Sequence, residues 1–193
     1  MGLATDEGNA MKHFMLTKKL LAVGADYRVT NEAGAVVFTV DGKVRFGITF
    51  DVLDAERQVV VKGREKVLAL DRRFDFSNRD GTLLATMRRL IVGGHRRILG
   101  TPDYQYHIET ADTDDKAVAA IAGPLIKVDG FVCAQEADWR LAREGRVLAS
   151  VQEKTEGHAV HMTAEGLLVP FILATTVALL RLEPGSSSSS SSD

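Results

Sequence analysis

A chain of 193 residues that is 45% hydrophobic and 26% charged has the size and composition of one globular domain, able to bury a core without disulfides or metals. Its formal net charge of −2 excludes the global attraction to nucleic acid or anionic lipid that a strongly basic protein carries. The lone Cys133 excludes an internal disulfide, and the opening residues lack the charged, apolar and small-residue zones of a secretory signal, so a reducing, cytoplasmic setting is expected.

The chain starts with a loose segment, residues 1–11, in which Asp6 stands where a myristoylation motif wants Ser or Thr. A strand is expected from Phe14 to Leu20. Five similar segments then open on an aromatic residue, Tyr27, Phe50, Phe74, Tyr106 and Trp139, at separations of 23, 24, 32 and 33 residues. In each, the aromatic and the apolar residue two places on (Val29, Val52, Phe76, Ile108, Leu141) share one face of a strand, because strand side chains alternate. A polar turn and a second strand follow. Asn31-Glu32-Ala33-Gly34, Asn78-Arg79-Asp80-Gly81 and Arg143-Glu144-Gly145 place Gly where a turn needs positive φ. Between the hairpins further strands are expected at Val36–Val40 with an Asp41-Gly42 turn, and at Lys66–Leu70, Leu125–Val132 and His158–Thr163.

Glu165-Gly166 then interrupts the alternation, and Leu167 to Leu180 is apolar on every side, with Pro170 in the first turn of the helix that this run predicts. Fourteen residues rise only about 21 Å, short of the roughly 30 Å of a bilayer core, and Arg181 follows at once. The expectation is a helix buried in the protein, with an oligomer interface as the alternative and no transmembrane span. About a dozen short strands normally close or stack to hide their edges, and closure leaves an interior to fill. The fold class expected is therefore mainly β, a closed antiparallel barrel of about twelve strands around a central hydrophobic C-terminal helix. It would occupy residues 12–183, followed by a disordered serine-rich tail, 184–193.

The run Met11-Lys12-His13-Phe14 through Leu16-Thr17-Lys18-Lys19-Leu20-Leu21-Ala22-Val23-Gly24-Ala25-Asp26-Tyr27, the continuation VTNEAGAVVFTVDGKV and the apolar C-terminal helix resemble the LURP-one-related proteins of the tubby C-terminal-like superfamily. The resemblance covers Met11 to Leu182 and implies a twelve-stranded barrel threaded by a hydrophobic helix. The superfamily includes phosphoinositide-binding tubby domains and phospholipid scramblases, so lipid headgroups are one implied ligand. The segment before the final helix reads GHAVHMTAEG, without the acidic calcium segment of scramblases, and the cysteine cluster that they palmitoylate is missing.

Charge is concentrated between Lys62 and Arg97, where ten basic residues stand against four acidic ones, giving +6 there and −8 in the remainder. The candidate lipid- or phosphate-binding residues are Arg72, Arg73, Arg88, Arg89, His95, Arg96 and Arg97, since guanidinium forks suit phosphate oxygens. On a strand, adjacent arginines face opposite sides, so each Arg pair should give one outward charge. The competing reading is a solvated strand edge protected by charge. His158 and His161, three apart, fall on opposite faces of an alternating strand, and no metal is expected there. Asp112-Thr113-Asp114-Asp115 lacks the Gly and Glu of a helix-loop-helix calcium loop and reads as a hairpin tip. The hydrolase, zincin, nucleotide-loop and dithiol motifs are missing, which leaves catalytic residues unassigned. The periodic aromatics read as core rather than as a platform for stacking nucleic-acid bases.

The leading expectation is a non-enzymatic module without cofactor that binds phosphoinositide or other anionic headgroups, cytoplasmic or peripheral at the membrane. Two other readings stay open. One is a protein-interaction scaffold without lipid binding; the other is a small-ligand carrier or enzyme using a barrel cavity.

Overall fold

Alternation of apolar and polar residues at period two dominates the chain, and it folds as one large antiparallel sheet with a C-terminal helix. A computed structural model describes residues 11–19, 26–45, 47–66, 73–91, 104–111, 126–133, 136–144 and 146–182. Among the described residues the strands are β1 (Lys12–Lys18), β2 (Tyr27–Asn31), β3 (Val36–Arg45), β4 (Gly47–Leu53), β5 (Val59–Lys66) and β6 (Arg73–Ser77). They continue with β7 (Leu83–Ile91), β8 (Tyr104–Thr110), β9 (Ile126–Cys133), β10 (Glu136–Arg143), β11 (Arg146–Lys154) and β12 (Gly157–Met162), before helix α1 (Leu168–Leu182). Each strand pairs with its neighbours in sequence, and β1 pairs on one side with β2 and on the other with β12.

The aromatic repeat lines the inner face. Tyr27 and Val29, Phe50 and Val52, Phe74 and Phe76, Tyr106 and Ile108, and Trp139 and Leu141 are all buried. Each large side chain so buried contributes about 1.5–3 kcal/mol through the hydrophobic effect. Helix α1 lies against β4, β5 and β6, and all its residues except Leu168 and Arg181 are buried. Phe171 meets Phe76 edge to face at 5.4 Å, joining the helix to the aromatic face of the sheet. Two hydroxyls in this apolar helix are satisfied internally: Thr175 donates to the Phe171 carbonyl (3.0 Å) and Thr176 to the Ile172 carbonyl (2.9 Å).

Two of the three expected turns behave as their residues require, whereas in Arg143-Glu144-Gly145 the positive φ (51°) falls on Glu144 and Gly145 lies outside the described residues. At Gly34 (φ 75°) and Gly81 (φ 91°) the chain takes the left-handed conformation, and the Asn31 and Asn78 side chains accept backbone N–H groups across the same turns. Gly166 (φ 54°) ends the β pattern ahead of α1, where Pro170 sits between Val169 and Phe171, whose N–H groups donate to Gly166 and Leu167.

Two local expectations need correction. Asp41-Gly42 is no turn: β3 runs straight through it to Arg45, because Asp41 pairs with Asp51 and Gly42 with Phe50 in the β3–β4 ladder. Lys66 closes a strand instead of opening one, since β5 begins at Val59; residues 67–70 lie outside the described residues. The serine-rich tail and, Met11 apart, the expected loose N-terminal segment also lie outside them. No helix among the described residues is long and apolar enough to cross a membrane.

Candidate functional site

Cross-strand register decides which basic residues share a face, because directly opposite residues in a ladder point the same way. Lys66 pairs with Arg73, Arg73 with Arg88 and Arg88 with His107. Phe74, Met87 and Ile108 are buried on the inner face, so their neighbours Arg73, Arg88 and His107 face outward. The four side chains form one row across β5 to β8. Lys127 on β9 holds the next register position.

The adjoining outer row is Arg64, Asp75, Thr86 and Glu109. Its carboxylates reach the basic row: Lys66 Nζ lies 3.0 Å from Asp75 Oδ2, and Arg88 Nη2 lies 3.8 Å from Glu109 Oε2. Thr86 Oγ1 donates to the other oxygen of Asp75 at 3.1 Å. Such exposed pairs contribute only about 0–1 kcal/mol each, so they orient the cations more than they stabilise the fold. The Nε–H groups of Arg73 and Arg88 are buried and have no hydrogen-bond partner among the described residues. The Lys66 and Arg88 side chains are 39% and 42% exposed, so the row presents positive charge at the surface.

Arg89, adjacent to Arg88, falls on the opposite face beside Tyr106 and is engaged within the protein. Arg73 and Arg88 are thus brought together and Arg89 is turned away from them. Arg72, His95, Arg96 and Arg97 lie outside the described residues, as does the acidic stretch 112–115. Sequence reading missed His107 and Lys66 as members of the row, because only the ladder register shows that they flank the arginines.

A second polar cluster sits where the first and last strands meet. His13 pairs directly with His161, and their Nδ1 atoms are in hydrogen-bond contact. His13 Nε2 lies 3.7 Å from Glu32 Oε1. Burial first, then the positive charge of His13 and Lys154, holds the His161 imidazole below its ordinary pKa. His158 and His161 alternate along β12, with His158 on the face of buried Val160 and Met162. Burial lowers the His158 pKa as well, partly offset by Glu153. His13 was invisible beside His161 in the sequence, since 148 residues separate them.

The family model for LURP-one-related proteins matches residues 12–179. Among solved structures, an X-ray structure of a protein from Arabidopsis thaliana is similar at a TM-score of 0.54, with 17% identity over 89% of this chain and 91% of that one. At that identity the likeness shows the fold alone. No curated protein matches the chain.

Proposed function

The chain belongs to the LURP-one-related family, and on that premise we propose that it is a closed barrel filled by its own helix which binds anionic phosphate headgroups on the outside of β5 to β8. The observation that carries this reading is the register-aligned row Lys66, Arg73, Arg88 and His107. Adjacent strands lie about 4.8 Å apart, so four of them spread these groups over about 15 Å, a span that fits a polyphosphorylated headgroup. The Arg73 and Arg88 guanidinium groups and the Lys66 ammonium supply the cationic donors that phosphate oxygens take. Near an anionic bilayer each Lys or Arg contributes about 1 kcal/mol, so the row supports reversible, salt-sensitive attachment. The apolar helix, buried except at Leu168 and Arg181, occupies interior that a small ligand would otherwise use, which supports a surface site over the carrier and enzyme readings.

Vesicle co-sedimentation at low salt tests the proposal. Wild-type protein should pellet with phosphatidylcholine vesicles containing phosphatidylinositol bisphosphate and stay in solution with phosphatidylcholine alone. The double reversal Arg73→Glu/Arg88→Glu should abolish the difference. Equal, negligible binding of the wild type to both vesicles would reject the reading.

One observation favours the scaffold reading. Met11, Val36, Leu83 and Val147 are exposed, and each lies at or next to the start of an odd-numbered strand, hence at the same end of the antiparallel sheet, where α1 enters. An exposed apolar rim of this kind suits a protein partner. Capture of one defined partner by the Arg73→Glu/Arg88→Glu protein, lost on Leu83→Asp/Val147→Asp, would favour it.

A further inference from the structure

Among the described residues no three potential metal ligands come together, and the two histidines of β12 face apart. The β1–β12 pairing nevertheless sets His13 opposite His161. The rings meet edge to face, with centroids 4.6 Å apart and planes at 77°, and both Nδ1 atoms are directed at each other. Two imidazole lone pairs aimed at one point repel unless a positive centre lies between them, either a proton on one ring or a cation. On the far side of His13, the Glu32 carboxylate faces Nε2 at 3.7 Å. In metal-binding histidines a carboxylate hydrogen-bonded to the distal nitrogen fixes the ring N–H there and leaves the other nitrogen as the ligand, and Glu32 stands within ion-pair reach of that position.

We propose that His13 and His161 form a two-imidazole site for a divalent cation of borderline softness, zinc foremost, with water completing the shell and Glu32 orienting His13. Imidazole nitrogens suit zinc, and carboxylate-preferring magnesium or calcium would gain little here. Tetrahedral zinc takes nitrogens at about 2.0–2.1 Å, which sets the two Nδ1 atoms about 3.3 Å apart. The His13 side chain is 41% exposed, so it is free to rotate outward to that separation. The ion would clip the first strand to the last, joining residues 148 positions apart, and would stabilise the folded chain by mass action.

Isothermal titration of the full chain with zinc chloride at neutral pH tests the site, using wild type, His13→Gln, His161→Gln, Glu32→Gln and His158→Gln. One equivalent should bind to wild type and to His158→Gln. Affinity should fall at least about tenfold in His13→Gln and in His161→Gln, and roughly tenfold in Glu32→Gln. Zinc should raise the wild-type Tm and leave the Tm of the two ligand variants unmoved. Unchanged affinity in both variants, or no binding by wild type up to about 1 mM zinc, overturns the proposal. Should a variant fail to fold, NMR of the wild-type imidazole resonances decides: zinc-induced shifts confined to His13 and His161 support the site, and shifts elsewhere or none reject it.

Discussion

Gly63 lies directly across from Phe50 in the β4–β5 ladder, and the Phe50 ring occupies the space that a Cβ on Gly63 would need. On its other side Gly63 is opposite Phe76, which carries the edge-to-face contact to Phe171 of the helix. The missing side chain is thus what leaves room for the Phe50 ring over β5. Gly63→Val should lower stability by about 1–3 kcal/mol through overpacking, read as a lower urea midpoint at unchanged slope. A wild-type midpoint would show that Phe50 has another place to go.

Inside α1, the Thr175 hydroxyl donates to the Phe171 carbonyl one turn earlier in its own helix. Replacing it with Val removes donor and acceptor demand together and keeps the shape, so Thr175→Val should change stability by less than about 1 kcal/mol. Thr175→Asp places a carboxylate at a position with no exposure and should leave little folded protein, since an unpaired buried charge costs several kcal/mol. Circular dichroism of the two variants separates the outcomes. A folded, cooperatively melting Thr175→Asp protein would mean that the helix reaches water.

Acid should weaken the fold through His158. Burial holds its folded-state pKa below that of the unfolded chain, which is about 6.5. The unfolded state therefore binds more protons once pH falls through 6.5, and the contribution present above that value is lost between it and the lower folded pKa. Between pH 7.5 and 5.5 the wild type should lose more Tm than His158→Gln, the difference cancelling the carboxylate background. Parallel pH profiles for the two proteins would contradict the assignment.

Vesicle binding should distinguish neighbouring arginines. Arg88→Gln removes a charge from the outer row, whereas Arg89→Gln alters a residue on the opposite face. Only Arg88→Gln should weaken binding to anionic vesicles, and wild-type binding should fall steeply between low and physiological salt. Equal losses in the two variants, or binding indifferent to salt, would remove the outer row from consideration.

The sheet was largely legible because its signal is local: an aromatic, an apolar residue two places on, and an Asn-to-Gly turn fix face and hairpin together, as Tyr27, Val29 and Gly34 illustrate. The buried helix was legible from the fourteen-residue apolar run. Asp41-Gly42 misled because a dipeptide that favours turns is tolerated in a ladder whose register is set by buried Val40 opposite Val52 and by buried Phe50 opposite Gly42. The basic segment was visible as composition, while its division into an outward Arg88 and an inward Arg89 depends on which neighbour is buried. The His13–His161 pair was beyond reach from either residue alone, since it exists only where the two termini of the sheet meet.

Hydrogen exchange of the α1 amides in detergent-free buffer tests the central claim most directly, namely that the sheet encloses its own helix and leaves only the outer face for partners. Amides from Phe171 to Leu180 should exchange at the rate set by global unfolding, together with the β1–β12 ladder. Fast exchange of those helical amides in a chain whose strands stay protected would contradict it.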